Sequence, residues 1–250
     1  MIEHIDATKV LFLDIETVSG KATYSDLSDD FKALWGYKAP SVLKRYGEEL
    51  TEEEKADSYV DRAAIYAEFG KIVCISVGAV YRDKDKRLKI RLKSFADRDE
   101  KKLLEDFNAM LDQYYGDTSR QFICGHNIKE FDVPYMCRRM IINQLSLPKM
   151  LQITGKKPWE TNHLLDTMTL WKFGDYKSYT SLKLLAGALG FPTPKDDIDG
   201  SQVGRVFWEE DDLERIAVYC EKDVLATAQL FFRYQLKPLL EEDQIQVAER

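Results

Sequence analysis

Four consecutive apolar residues, Val10, Leu11, Phe12 and Leu13, run directly into Asp14, Ile15 and Glu16. A segment apolar at every position has no face for water, so residues 9–15 read as a strand buried on both faces of a central sheet. Covering layers are then needed on each side, which points to an α/β architecture: a mixed central sheet flanked by helices. The carboxylates that end the run are costly there unless a cation or hydrogen bonds compensate them. Two apart on an extended segment, they point to one face, where both can reach a single cation or bridge a pair. The plainer alternative is that they cap the loop or helix that follows.

The remaining pattern fills in that architecture. Residues 19–69 are rich in charged and aromatic side chains and 46–69 has a helical pattern, so a helical insertion follows the first strand. Residues 71–81 (KIVCISVGAVY) read as a strand and 87–95 as its hairpin partner across RDKDK. Residues 99–115 are amphipathic, with Leu103, Leu104, Phe107 and Leu111 on one helical face. A short strand at 121–124 stops at Gly125, and a helix over 131–144 carries Pro134 in its first turn. Residues 163–167 read as a strand, 180–189 as a helix closed by Gly190, and 209–236 as a long helix ended before Pro238. The expectation is one domain over 1–240, with a polar tail, 241–250, that frays.

With 250 residues, 44% of them hydrophobic, the chain can bury an ordinary single core. No apolar run reaches membrane-spanning length and the first residues lack a signal-peptide pattern, so a cytoplasmic protein without a membrane partner is expected. Cys74, Cys124, Cys137 and Cys220 have neither zinc nor redox spacing, and Cys74 and Cys124 read as buried free thiols. A net charge of −7 argues against a broadly basic nucleic-acid binder. It leaves local basic patches open, and a cation site built from carboxylates would itself contribute to the deficit.

Two further acidic contexts stand out. In GHNIKEFDVP, Gly125 turns the chain, Asn127 bonds locally, and Asp132 projects from the first helical turn. Asp132 can ligate a cation or simply serve the helix dipole, and His126 reads as a hydrogen-bonded structural residue. In YCEKDV, Tyr219 and Asp223 are four apart and share a helix face. Read alone, that pair is equally an amphipathic helix with the phenol in the core and the carboxylate in solvent. Glu221 and Lys222 point elsewhere and read as surface charge. Trp171, Phe173 and Tyr176, ahead of the stretch 178–182, read as core or loop packing rather than a stacking surface. The acidic contexts fall at the end of the first strand, just after the fourth, and on the last long helix, which suits one cleft beyond the strand ends.

In that order, VLFLDIET, HNIKEFD and YCEKD resemble the three exonuclease motifs of the DEDD superfamily, on the ribonuclease-H-like fold. The Tyr-x-x-x-Asp form of the third motif is similar to the tyrosine branch, which includes family B polymerase proofreading domains and ribonuclease D. The histidine branch carries a His at that position instead. EFGKIVCISVG, LLDTMTLWKF and SLKLLAGALGF followed by IDGSQV extend the resemblance over about residues 9–235, toward a stand-alone predicted exonuclease group related to polymerase B proofreading. The long insertion and the lack of a polymerase domain depart from it.

The resemblance implies that Asp14, Glu16 and Asp223 hold one divalent cation, Mg²⁺ or Mn²⁺, and that Asp14 bridges to a second near Asp132. It also implies that Tyr219 orients the attacking water; a phenol with a pKa of about 10 is a poor base at neutral pH. Two such cations about 3.5–4 Å apart suit phosphodiester hydrolysis. Thr17, Asn127, Phe131 and Lys183 are the candidate substrate-binding residues, Phe131 by packing beneath the site. The expected activity is 3′–5′ exonucleolytic shortening of single-stranded DNA ends to 5′-mononucleotides, alone or with a polymerase or repair complex. A 3′–5′ exoribonuclease and a non-catalytic nucleic-acid-binding module on the same fold are the alternatives.

Overall fold

The computed structural model describes residues 2–175, 179–192 and 198–249. Among them, β1 (Val10–Ser19), β2 (Gly70–Arg82), β3 (Leu88–Ala96), β4 (Phe122–Gly125), β5 (Leu164–Asp166) and β6 (Ile245–Val247) form one sheet in the order β5-β4-β1-β2-β3-β6. The first three strands pair antiparallel, β4 lies parallel to β1, and β5 lies parallel to β4. The helices are α1 (Asp29–Val42), α2 (Glu52–Arg62), α3 (Glu100–Tyr114), α4 (Asp132–Ile142), α5 (Thr167–Lys172), α6 (Leu182–Leu189), α7 (Val203–Trp208) and α8 (Leu213–Tyr234). This mixed sheet, covered by helices on both faces, is the ribonuclease-H-like arrangement expected from the motifs.

The apolar run of β1 is buried twice over. Leu11, Leu13 and Ile15 pack with Phe107 and Leu111 of α3 and with Met136 and Met140 of α4. Val10 and Phe12 pack on the opposite face with Val224, Ala228 and Phe231 of α8, Phe12 meeting Phe231 edge-on at 5.4 Å. Gly78 lets α8 come this close: a Cβ there would stand 2.9 Å from both Val224 Cγ1 and Ile90 Cδ1.

β1 does not stop at Ile15. The β-branched Thr17 and Val18 carry it on to Ser19, so Asp14 and Glu16 lie inside the strand rather than at its end. Beyond Glu16 the pairing with β2 shifts, Glu16 opposing Cys74 and Thr17 opposing Ile72, which leaves Val73 as an extra residue. Such a bulge re-aims neighbouring side chains. Val73 and Cys74 consequently both enter the core shared with α7 and α8.

The insertion after β1 is helical, as expected, and has a small core of its own. Thr51 and Glu54 form a capping box at the start of α2. Trp35 of α1 is fully buried and its indole donates to the Lys55 carbonyl. The Tyr135 hydroxyl of α4 donates to the Ala64 carbonyl at 2.8 Å, tying the insertion to the main body.

The expectation of a fraying tail gives way to an edge strand, since Ile245–Val247 pairs parallel with β3. Main-chain bonds to an open sheet edge hold it, and those leave little mark in a sequence. Among the described residues, no helix is long and apolar enough to cross a membrane.

A buried carboxylate joins three elements. Glu100, at the start of α3, accepts from Arg139 Nε at 2.8 Å, from the Ile72 N–H at 2.7 Å and from Asn143 at 2.9 Å. Every lone pair of Glu100 is thus turned toward a donor, which is how a buried charge becomes tolerable.

Candidate active site

Asp14 and Glu16 reach the α8 face of the sheet together. One carboxylate oxygen from each, with Cys220 Sγ of α8, lie within 4.8 Å of one another. Cys220 Sγ sits 3.5 Å from the Asp14 carbonyl and 3.6 Å from Asp14 Oδ2. Asp132, only 3% exposed, comes from the first turn of α4, and its carboxylate accepts from its own N–H and that of Ile15. Tyr219 and Asp223 face the same spot from α8, with the tyrosine hydroxyl hydrogen-bonded to Asp223.

The electrostatics show how closely these groups converge. Burial, followed by the charges of Asp132, Glu16 and Asp223, holds the Asp14 carboxyl well above the usual range. Burial and then Asp223 do the same to Glu16. Asp132 is pushed up to about 7 by burial, against the pull of its two N–H donors. Burial and the three carboxylates of Asp223, Glu16 and Asp14 push the Tyr219 phenol up. Like charges brought together out of water mark a place where protons or cations are taken up. Hard oxygen donors from three separate elements match divalent cations such as Mg²⁺ and Mn²⁺. The cluster fits the group its motifs imply.

Asp166 ties β5 to the loop that precedes Asp132. It is 2% exposed at the end of β5, and its Oδ1 accepts from the N–H groups of Asn127, Met168 and Thr169 at 3.0–3.2 Å. Its Oδ2 accepts from the Lys129 N–H at 3.1 Å. One carboxylate therefore caps α5 and fixes the β4–α4 loop, where Asn127 holds a left-handed φ of 67°. That loop leads into Asp132. The available signal was an Asp directly ahead of a helix-forming stretch, an N-cap pattern.

Other expectations fare unevenly. His126 is structural as expected: Nε2 donates to the Thr180 carbonyl at 2.9 Å, and Nδ1 hydrogen-bonds the Thr167 hydroxyl. Phe131 is half-buried and packs against Tyr135, with ring centroids 5.4 Å apart. Thr17 hydrogen-bonds the Tyr135 hydroxyl, and Lys183 is exposed on α6. The four cysteines are free thiols, with Cys74 and Cys124 buried.

Glu221 is not surface charge. It is 4% exposed and accepts from the Ser94 hydroxyl of β3 at 2.7 Å, and that hydroxyl also bonds Ser76 at 2.8 Å. Its place on α8 explains this, because it follows Ala217 by four residues and precedes Val224 by three, on the buried stripe. The aromatic trio separates: Trp171 packs against Tyr234, Phe173 stands 78% exposed, and Tyr176, like Ser178, lies outside the described residues.

With this geometry the chain matches, over residues 65–248, a family described as "predicted 3'-5' exonuclease related to the exonuclease domain of PolB". The chain belongs to that family. The matched span holds Asp132, Asp166, Tyr219 and Asp223 and begins after Asp14 and Glu16. Among solved structures, the chain is similar to a family B DNA polymerase from the hyperthermophilic archaeon Pyrobaculum calidifontis, at 14% identity and a TM-score of 0.49. That alignment covers 91% of this chain and 24% of the polymerase chain, so the chain spans about a quarter of the polymerase's length. No curated protein matches the sequence.

Proposed function

We propose that this protein is a divalent-cation-dependent 3′–5′ exonuclease that removes 5′-mononucleotides from single-stranded nucleic acid, with DNA as the favoured substrate. The observation that carries the reading is the convergence of carboxylates on Asp14 and Glu16, whose carboxyls burial and then the charges of Asp132 and Asp223 raise, with Glu16 adding to the effect on Asp14. Family membership supports it. Bound at this cluster, two divalent cations would supply Lewis-acid activation of water and stabilisation of the departing 3′ oxygen.

The chain's own residues would then divide the remaining tasks. Asp14, Glu16 and Asp223 hold one cation and Asp132 helps hold the other. Tyr219, half-buried and bonded to Asp223, aligns the attacking water. It does not take the proton, because its neighbours oppose loss of its own. Asn127 and Thr17 are the candidates to contact the terminal nucleotide. Asp166 keeps Asn127 and the entry to α4 in place.

Incubation of the protein with 5′-labelled single strands and Mg²⁺ or Mn²⁺ should give a ladder shortening from the 3′ end, with 5′-mononucleotide product. Matched DNA and RNA strands in competition rank the substrates. No shortening of either polymer with either metal would sink the proposal.

A further inference from the structure

The carboxylate cluster contains a sulfur that a cation centre built from oxygen donors does not use. Cys220 Sγ of α8 stands 3.6 Å from Asp14 Oδ2, and the donor atoms of Asp14, Glu16 and Cys220 lie within 4.8 Å of one another. That spacing suits two donors on one ion. A cation about 2.3 Å from a sulfur and about 2.0–2.2 Å from a carboxylate oxygen, at a tetrahedral angle, holds the pair about 3.5–3.7 Å apart. Glu16 points independently to a ligand at the same spot. Its carboxylate is 8% exposed, and among the described residues no donor hydrogen-bonds it; Asp223, Cys74 and Asp132 surround it instead. A buried carboxylate without donors is costly unless it meets a cation.

Two elements hold the sulfur there. On α8, Cys220 follows Ala217 by three residues and precedes Val224 by four, on the stripe buried against the sheet. A hydrocarbon side chain would serve packing on that stripe equally well. On β2, the bulge beyond Glu16 turns Cys74 into the same core, where its thiol and that of Cys220 hydrogen-bond one another. A hydrogen-bonding neighbour of this kind orients a ligating side chain.

From this juxtaposition we infer that Cys220 is a ligand of the cation held by Asp14 and Glu16, and that this mixed oxygen–sulfur position takes Zn²⁺ in preference to Mg²⁺. The inference rests on the cation-dependent exonuclease reading and deepens it. When the ion binds, the sulfur coordinates as thiolate and its proton passes to water. Mg²⁺ keeps to oxygen donors and gains nothing from the sulfur, whereas thiolate suits Zn²⁺. Cys220 thus decides which ion occupies the position, while the carboxylates supply its charge.

The test titrates wild-type protein, Cys220→Ser and Cys137→Ser with Co²⁺, a spectroscopic stand-in for Zn²⁺, and with Zn²⁺ and Mg²⁺ by calorimetry. Wild type and Cys137→Ser should show thiolate-to-cobalt charge-transfer absorption in the near ultraviolet, and Cys220→Ser should lack it. Cys220→Ser should bind Zn²⁺ at least about tenfold more weakly and Mg²⁺ within about twofold of wild type. Retained Mg²⁺ binding also shows that the variant is folded. The wild-type spectrum decides without any variant: no charge-transfer band would overturn the sulfur ligand, as would a band that survives in Cys220→Ser. If wild type shortens single strands with Mg²⁺ or Mn²⁺ but shows no band, the sulfur ligand falls and the exonuclease stands. If the band depends on Cys220 but no strand is shortened with any metal, the exonuclease falls and the mixed site stands. If wild type binds none of these ions, both fall.

Discussion

Two groups of buried carboxylates sit on opposite faces of the same sheet and are treated in opposite ways. On the α3–α4 face, Glu100 meets a guanidinium, a backbone N–H and an amide. On the α8 face, Asp14 and Glu16 meet Asp223, Asp132 and a thiol. Burial alone does not distinguish the groups, since Glu100 is 7% exposed and Glu16 is 8%. Partner identity does. A carboxylate supplied with donors on all sides is part of the scaffold, and one that faces other carboxylates awaits a cation.

Substitutions should therefore act with opposite signs in the two places. The largest effect is on activity: Asp14→Asn or Asp223→Asn should lower turnover roughly thousandfold or more, since metal charge stabilisation is worth several kcal/mol. The same Asp14→Asn change should raise the melting temperature of the metal-free protein, because it removes one like charge from the cluster. A fall in that temperature would put Asp14 with the scaffold group instead.

Arg139→Ala, on the compensated side, should cost about 3–5 kcal/mol of stability by stranding Glu100, read from denaturant unfolding. Any activity that survives should show an unchanged metal requirement. Next in size, Tyr219→Phe should lower kcat by about a hundredfold and leave Mn²⁺ affinity intact, as fits a group that orients water rather than one that binds metal. Equal losses in kcat and metal binding would make the phenol part of the cation site.

The smallest expected effect is a pH dependence. The folded-state carboxyls are raised, Asp132 to about 7 and Asp14 and Glu16 well above the usual range. Above the unfolded value of about 4, the folded chain holds more protons than the unfolded one. Metal-free stability should therefore fall as pH rises from about 4 through about 7, and stabilisation by Mg²⁺ should grow over the same interval. A flat profile in thermal melts would show that these carboxyls are already compensated within the chain.

Much of this was legible in the sequence, for identifiable reasons. The uninterrupted apolar run before Asp14 announced a strand buried on both faces, and the i, i+4 spacing of Tyr219 and Asp223 put both on one face of α8. Less visible was what depends on tertiary partners. Glu221 was misread because its own polarity was given more weight than its place on the stripe of Ala217, Val224 and Ala228, and Ser94 supplies the donor that makes it tolerable there. Asp166 was missed because two of its four donors, the N–H groups of Asn127 and Lys129, reach it only when β4 and β5 pair. Phe173, expected as core or loop packing, instead ends α5 in a left-handed conformation and stays exposed, and nothing in the composition of the stretch reveals a φ angle.

Calorimetric titration with Mn²⁺ tests the contrast between the two carboxylate groups most directly. Wild-type protein should bind two ions, Asp14→Asn should lose at least one of them, and Arg139→Lys, which keeps a cation beside Glu100, should bind two as wild type does. A wild-type protein that binds no Mn²⁺, or an Asp14→Asn variant that binds as wild type does, would contradict the assignment of Asp14, Glu16, Asp132 and Asp223 as a cation centre.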